Sequence, residues 1–196
     1  MSSSKTRQQL EAWLSGIQVP DGSRVLDIGG SQKPIVSRVK WNEGTQFVIL
    51  DLPTPHEVAM EANINLDIEQ DVPMDIMLEH NSSYDVAFCI EVSEYWLNPL
   101  KALQNIGMLM CKGGTLYISF HMVYPLHNPN ELDSIRYTEA GVRRYVKASG
   151  FEIKSLEYRT ADASSIMRFY RGEGMRPSQT YGHHEAVGFM VEAQLL

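Results

Sequence analysis

The segment Arg24-Val25-Leu26-Asp27-Ile28-Gly29-Gly30-Ser31 constrains this chain more than any other. Its apolar run is too short for a helix and reads as a buried strand, ending beside a carboxylate at two glycines where the backbone can turn tightly. A second run of the same kind, Phe47-Val48-Ile49-Leu50, ends on Asp51. Short apolar strands without polar alternation are covered on both faces, as in parallel sheets.

The rest of the chain extends that pattern. Leu10, Trp13, Leu14 and Ile17 recur at spacings of three and four, which predicts a helix over Ser4–Ile17, stopped by Gly16 and Pro20-Asp21-Gly22. Further strands are expected at Asn63–Leu66, Tyr84–Ile90, Thr115–Phe120, Phe151–Leu156 and Ala186–Ala193, with helices at Pro99–Met110 and Thr138–Ala148. Strands alternating with helices imply right-handed crossovers. The fold class is therefore α/β: a Rossmann-like, doubly wound, seven-stranded and mainly parallel sheet, with helices on both faces. No helical pattern separates the last two strands, so an antiparallel strand is expected at one edge. We read residues 1–196 as one domain: an N-terminal helix in 1–20, a ligand-binding core in 21–160, a variable loop or lid in 160–185 and a last strand in 186–196.

Composition excludes several classes of function. Lys and Arg total 17 against 24 Asp and Glu, for a formal charge of -7, which argues against a general nucleic-acid binder. The imbalance sits in the first half, where 6 basic residues face 15 acidic ones; residues 99–196 carry 11 and 9. Cys89 and Cys111 stand in apolar surroundings outside any CxxC or zinc spacing, so buried thiols in a reducing compartment are expected. His183-His184 lacks partners at matching spacing, and no metal is expected. Nothing resembles a signal peptide or a membrane span, so the expected location is cytoplasmic.

In open sheets of this kind ligands bind beyond the C-terminal strand ends, near the switch point of strand order. Asp27, Asp51, Asp67 and Glu91 fall at or just after such ends, more acids than a sheet core needs. The glycine turn before Pro34 lets a ligand approach the backbone. Asp51 is placed to accept hydrogen bonds from both hydroxyls of a ribose.

At these residues the chain resembles the class I S-adenosylmethionine-dependent methyltransferases. Val25-Leu26-Asp27-Ile28-Gly29-Gly30-Ser31, Asp51, Leu66-Asp67-Ile68, Tyr84 to Glu94, and Cys111-Lys112-Gly113-Gly114-Thr115-Leu116 follow that family's order and spacing over roughly residues 10–160. The likeness is nearest to a branch with small-molecule and surface-polysaccharide substrates, through Pro34 and Arg136-Tyr137-Thr138. The resemblance implies S-adenosylmethionine as cofactor. Asp27 would organise the turn and the methionine end, Gly29, Gly30 and Ser31 would line its path, and Asp51 with Leu52 would hold the ribose. Asp67 would take the adenine amine with Ile68 beside the ring, and Glu91 would sit by the methionine moiety. Two residues depart from the pattern. Ser31 replaces the usual second glycine, and its side chain narrows the approach unless its φ is ordinary. Tyr95 stands where many relatives carry His.

For the acceptor, the loop Phe120 to Pro129 overlooks the expected methyl group. His127, where the resemblance also places a histidine, is the candidate base, with His121 as the alternative. Tyr124, Arg136 and Arg168 are candidate substrate contacts, the arginines for an anionic or sugar-containing acceptor, though Asp133 with Arg136 also reads as a plain ion pair. Asp85 and Lys112-Gly113-Gly114 read as turn residues away from the ligand. Two other functions fit parts of the pattern: a non-catalytic cofactor-binding or partner-binding protein, and an NAD-dependent oxidoreductase, against which the missing GxGxxG counts. No tetrapeptide for exocyclic amines marks a nucleic-acid methyltransferase.

Overall fold

The structure is a computed structural model, and it describes residues 4–161 and 186–196. The elements run α1 (Lys5–Gly16), β1 (Arg24–Ile28), β2 (Gln46–Asp51), β3 (Ile64–Asn65), α2 (Met74–His80), β4 (Tyr84–Cys89), α3 (Pro99–Leu109), β5 (Met110–His121), α4 (Glu139–Ala148), β6 (Phe151–Thr160) and β7 (Ala186–Leu195). Three helix starts are sealed by side chains: Ser4 accepts from the Arg7 amide, Asn98 from Lys101 and Thr138 from Gly141.

All seven strands join one sheet in the order β3-β2-β1-β4-β5-β7-β6. The first five are parallel, and β7 runs antiparallel to both β5 and β6. The reversed strand is thus β7, inserted inside the sheet, while β6 forms the edge. Strand order reverses between β1 and β4, where the ligand crevice was expected.

Alternating side chains bury both faces. Val25, Val86, Phe88 and Met190 pack with Leu10 and Leu14 of α1; Leu26, Ala87, Phe189 and Val191 pack with Leu103 and Ile106 of α3 and Val142 and Val146 of α4. Asp85 accepts from the Arg24 amide at 2.9 Å, a tie at the start of the strands and away from the crevice.

Two crossovers differ from expectation. After β1 the chain makes only a short 3-10 turn at Ile35–Ser37, and no helix lies between β2 and β3. In the turn after β1, Asp27 accepts the Ile35 amide at 2.7 Å and so ties the start of the 3-10 turn to the strand end. Helix α2 was not anticipated, since none of its residues is fully buried and its apolar pattern is weak. No described helix is long and apolar enough to cross a membrane.

Candidate functional site

A cavity of about 300 Å³ opens beyond the C-terminal ends of β1, β2 and β4. Of the residues singled out in the sequence, Gly29, Asp51, Leu52, Asp67, Ile68, Glu91 and His127 share its wall.

On the β1–β2–β3 side, backbone amides hold the acids. Asp51 accepts from Ser31 N at 3.0 Å and Leu52 N at 2.8 Å, which fixes the carboxylate while leaving lone pairs toward the cavity. Asp67 accepts from Glu69 N at 3.0 Å. Gly29 has φ 71, and a Cβ there would lie 2.4 Å from a Val92 methyl; only glycine fits.

Asp27, Gly30 and Ser31 stand behind this wall rather than on it. The Asp27 carboxyl is buried under the turn, and burial raises its pKa to about 7 against the opposing pull of the Ile35 amide and Arg38. Gly30 lies against it, since a Cβ would come 2.3 Å from Asp27 Oδ2. Ser31 is fully buried and outside the positive-φ region, so its side chain leaves the approach open. Asp27 thus organises the turn as expected but does not itself line the cavity, and Gly30 and Ser31 shape the turn rather than line a cofactor path.

On the β4–β5 side, side chains hold one another. Glu91 adopts φ 60, a strained value for a non-glycine residue. Its carboxylate meets Arg7 of α1 and lies 3.0 Å from Arg159 Nη1 of β6. Arg159 is itself buried and donates from Nε to Thr6 O at 3.3 Å.

Glu94, fully buried, receives His127 Nδ1 on Oε1 at 2.7 Å and has His121 Nε2 3.1 Å from the same oxygen. Burial pushes the Glu94 carboxyl upward, but the two histidines outweigh it and hold the pKa at about 2. The hydrogen bond that His127 donates to Glu94 raises the His127 pKa above its ordinary value; burial opposes this, and the Glu94, Glu91 and Asp133 charges add to it. Tyr95 stacks on the His127 ring with centroids 5.7 Å apart.

The donor atoms of Glu94, His121 and His127 lie within 4.8 Å of one another, a set able to face one ion. Yet the 2.7 Å contact is closer than the roughly 3 Å separating two ligands of one metal, and it is a hydrogen bond. The arrangement is that of a carboxylate-oriented histidine.

Three expected contacts do not reach the cavity. His121 is 1% exposed with the Tyr124 ring 4.2 Å away, and neither side chain lines the cavity. Arg136 spends its guanidinium on Asp133, at 2.5 and 2.6 Å, which is the ion-pair reading. Arg168 lies outside the described residues. Conversely, Arg7, Glu94, Trp96, Asp133 and Arg159 were not picked out as site residues. The pair Glu91 and Glu94, three apart in one turn, was the available signal for Glu94; nothing local marks Arg7 or Arg159.

Residues 5–156 match the family model for a methyltransferase domain. A ubiquinone biosynthesis O-methyltransferase of Xanthomonas campestris pv. campestris is 30% identical over 103 residues, covering 50% of this chain and 43% of that protein. The chain thus spans under half the length of the curated relatives it matches. Among solved structures, an S-adenosylmethionine-dependent methyltransferase from Mesorhizobium loti superposes with a TM-score of 0.60 at 14% identity, covering 98% of each chain. A Haemonchus contortus phosphoethanolamine N-methyltransferase in complex with S-adenosyl-L-methionine gives 0.61 at 16% identity, over 95% of this chain and 52% of that one.

Proposed function

Because the chain belongs to the methyltransferase-domain family of S-adenosylmethionine-dependent proteins, we propose that it moves a methyl group from that cofactor to an oxygen or nitrogen nucleophile of a small molecule, with His127 as proton acceptor.

The observation that carries this reading is a single cavity whose wall holds Asp51 and Asp67 at one end and His127 at the other. The residues fit the cofactor: a glycine that admits no Cβ, a fixed carboxylate for a diol, and an acid with an aliphatic neighbour, Ile68, for an amino-purine. When bound, S-adenosylmethionine supplies an electrophilic methyl carbon on a positively charged sulfur.

Since that charge is lost on transfer, carboxylates holding the sulfur would favour the ground state over the transition state. Asp51 and Asp67 serve better on ribose and adenine, which keep their contacts throughout the reaction.

His127 is oriented for its task. Neutral, it donates Nδ1–H to Glu94 and leaves Nε2 as the acceptor for the nucleophile's proton. Its raised pKa means that transfer rate climbs with pH through a value above the ordinary 6.5. Positioning and exclusion of water supply most of the remainder, and Trp96, Tyr95 and Leu132 close the wall around the acceptor.

The wall of described residues carries Asp51, Glu57, Asp67, Glu69 and Glu91 but no lysine or arginine. An uncharged acceptor suits it better than the anionic sugar suggested by Arg136 and Arg168. Methyl transfer from labelled S-adenosylmethionine to a panel of phenols, alcohols, amines and sugar phosphates tests the proposal, with Asp51→Ala as control. Turnover of an uncharged acceptor that the control lacks supports it; cofactor binding without transfer to any class favours the non-catalytic reading.

A further inference from the structure

The segment Asp133–Tyr137 connects the loop after β5 to α4, and its contacts converge on the histidine site. Ser134 N and Ile135 N both donate to the Glu94 carbonyl, at 2.9 and 3.1 Å, while the Glu94 side chain holds His127. Tyr137 donates its hydroxyl to Ser93 O at 2.7 Å and its amide to His121 O at 2.8 Å. The segment is thereby bolted to the tips of both β4 and β5.

From this anchored position Asp133 reaches back into the loop and accepts the His127 amide on Oδ2 at 2.7 Å. Arg136 grips both Asp133 oxygens and extends to the carbonyls of Tyr124 and Pro125, each at 3.5 Å. On the other side of the ring, the Tyr95 hydroxyl donates to Asn128 O. His127 is thus fixed through its amide, through Nδ1 and through the carbonyl of the next residue.

We infer that Asp133 and Arg136 are positioning residues for methyl transfer: they fix the backbone of the loop so that His127 meets Glu94 through Nδ1 and turns its other nitrogen to the cavity. An exposed pair at this spacing would contribute little to stability. Here the pair carries a hydrogen bond to the backbone of the catalytic residue and two more contacts to the loop before it. The gain is in geometry, where a displacement of about 1 Å can cost 100-fold in rate.

The inference rests on the proposed role of His127, and its test separates the two. The titration of the His127 ring is followed by ¹H–¹⁵N NMR in the full chain, alone and saturated with S-adenosylhomocysteine. The charged or titratable groups around the ring are Glu94, Glu91, Asp133, Arg136, Tyr95, Tyr124 and His121. Arg136→Gln is decisive because charge and geometry pull in opposite directions. Removing a nearby cation raises the titration midpoint of His127; loosening the Glu94 contact lowers it.

We expect a fall of about half a pH unit or more in Arg136→Gln. Arg136→Lys, which keeps the charge but not the two-pronged grip, should give a smaller fall. Affinity for S-adenosylhomocysteine should stay within about threefold of the unmodified chain. An unchanged or raised midpoint overturns the inference, as does an affinity loss that parallels the midpoint change. Should Arg136→Gln fail to fold, Arg136→Lys is read by the same criterion. If the unmodified chain binds no S-adenosylhomocysteine, the proposed function fails by that separate readout, while the titration still reports on the clamp.

Discussion

The two ends of the crevice are built on different principles. At the β1–β2–β3 tips, main-chain amides fix the carboxylates: Ile35 holds Asp27, Ser31 and Leu52 hold Asp51, and Glu69 holds Asp67. At the β4–β5 tips, side chains from α1, the β4 turn, the loop after β5 and β6 hold one another, as in Arg7–Glu91–Arg159 and Glu94–His127. The first arrangement presents fixed acceptors to a ligand of fixed shape. The second has positions that substitutions can retune while the turn proposed to bind cofactor is kept, which suits a fold whose acceptors vary.

If that contrast is right, substitutions at the two ends separate binding from transfer. Asp51→Ala should have the largest effect. Loss of a charge-assisted contact to a diol removes about 3 kcal/mol, so S-adenosylmethionine should bind about 100-fold more weakly by calorimetry.

Glu94→Gln acts at the other end and should leave cofactor affinity within about threefold while lowering kcat by about 10- to 100-fold at pH 7. Its rate profile should also shift to lower pH, because His127 loses the carboxylate that raises its pKa. Stability follows the same pair. The lowered Glu94 pKa contributes fully above pH 4.5 and is lost toward pH 2, and the raised His127 pKa contributes fully below 6.5 and is lost as pH rises through the folded value. The gap in unfolding free energy between unmodified and Glu94→Gln protein should therefore be widest between pH 4.5 and 6.5.

Gly29→Ala forces a Cβ toward Val92 at φ 71. A cost of about 1–3 kcal/mol predicts a Tm lower by about 2–10 °C, with weakened cofactor binding. Asp27→Asn should have the smallest effect at neutral pH. Burial raises the Asp27 pKa from 3.8 to about 7, so its contribution is full at low pH and lost as pH rises through about 7. Thermal unfolding of Asp27→Asn should decline less between pH 5 and 8 than that of the unmodified chain.

The same contrast explains what the sequence made legible. Strands β1, β2 and β4 and the acids at their tips could be read locally, because an apolar run followed by a carboxylate and glycines has few alternative folds. The antiparallel pairing of β6 and β7 follows from the lack of a helix-length amphipathic pattern in the sequence between them, although the insertion of β7 beside β5 does not. Glu94, Arg7 and Arg159 do not stand out as site residues, since their meaning arises from contacts across tens of residues, and Arg136 reads as a substrate contact or a plain ion pair rather than as part of a clamp on the His127 loop. Arg7 and Glu91, for example, are separated by 84 positions. His121 reads in the sequence as the alternative base to His127, but the end of β5 buries it beneath the half-buried Tyr124 ring.

Under the proposed function, one cavity holds the cofactor at its acidic end and turns the methyl group toward His127. A crystal structure of the chain with S-adenosylhomocysteine tests it most directly. Ribose hydroxyls on Asp51, the purine amine at Asp67 and the sulfur on the His127 side of Glu91 are the expected result. Nucleoside bound elsewhere, or bound in reverse with its sulfur beside Asp67, would contradict it.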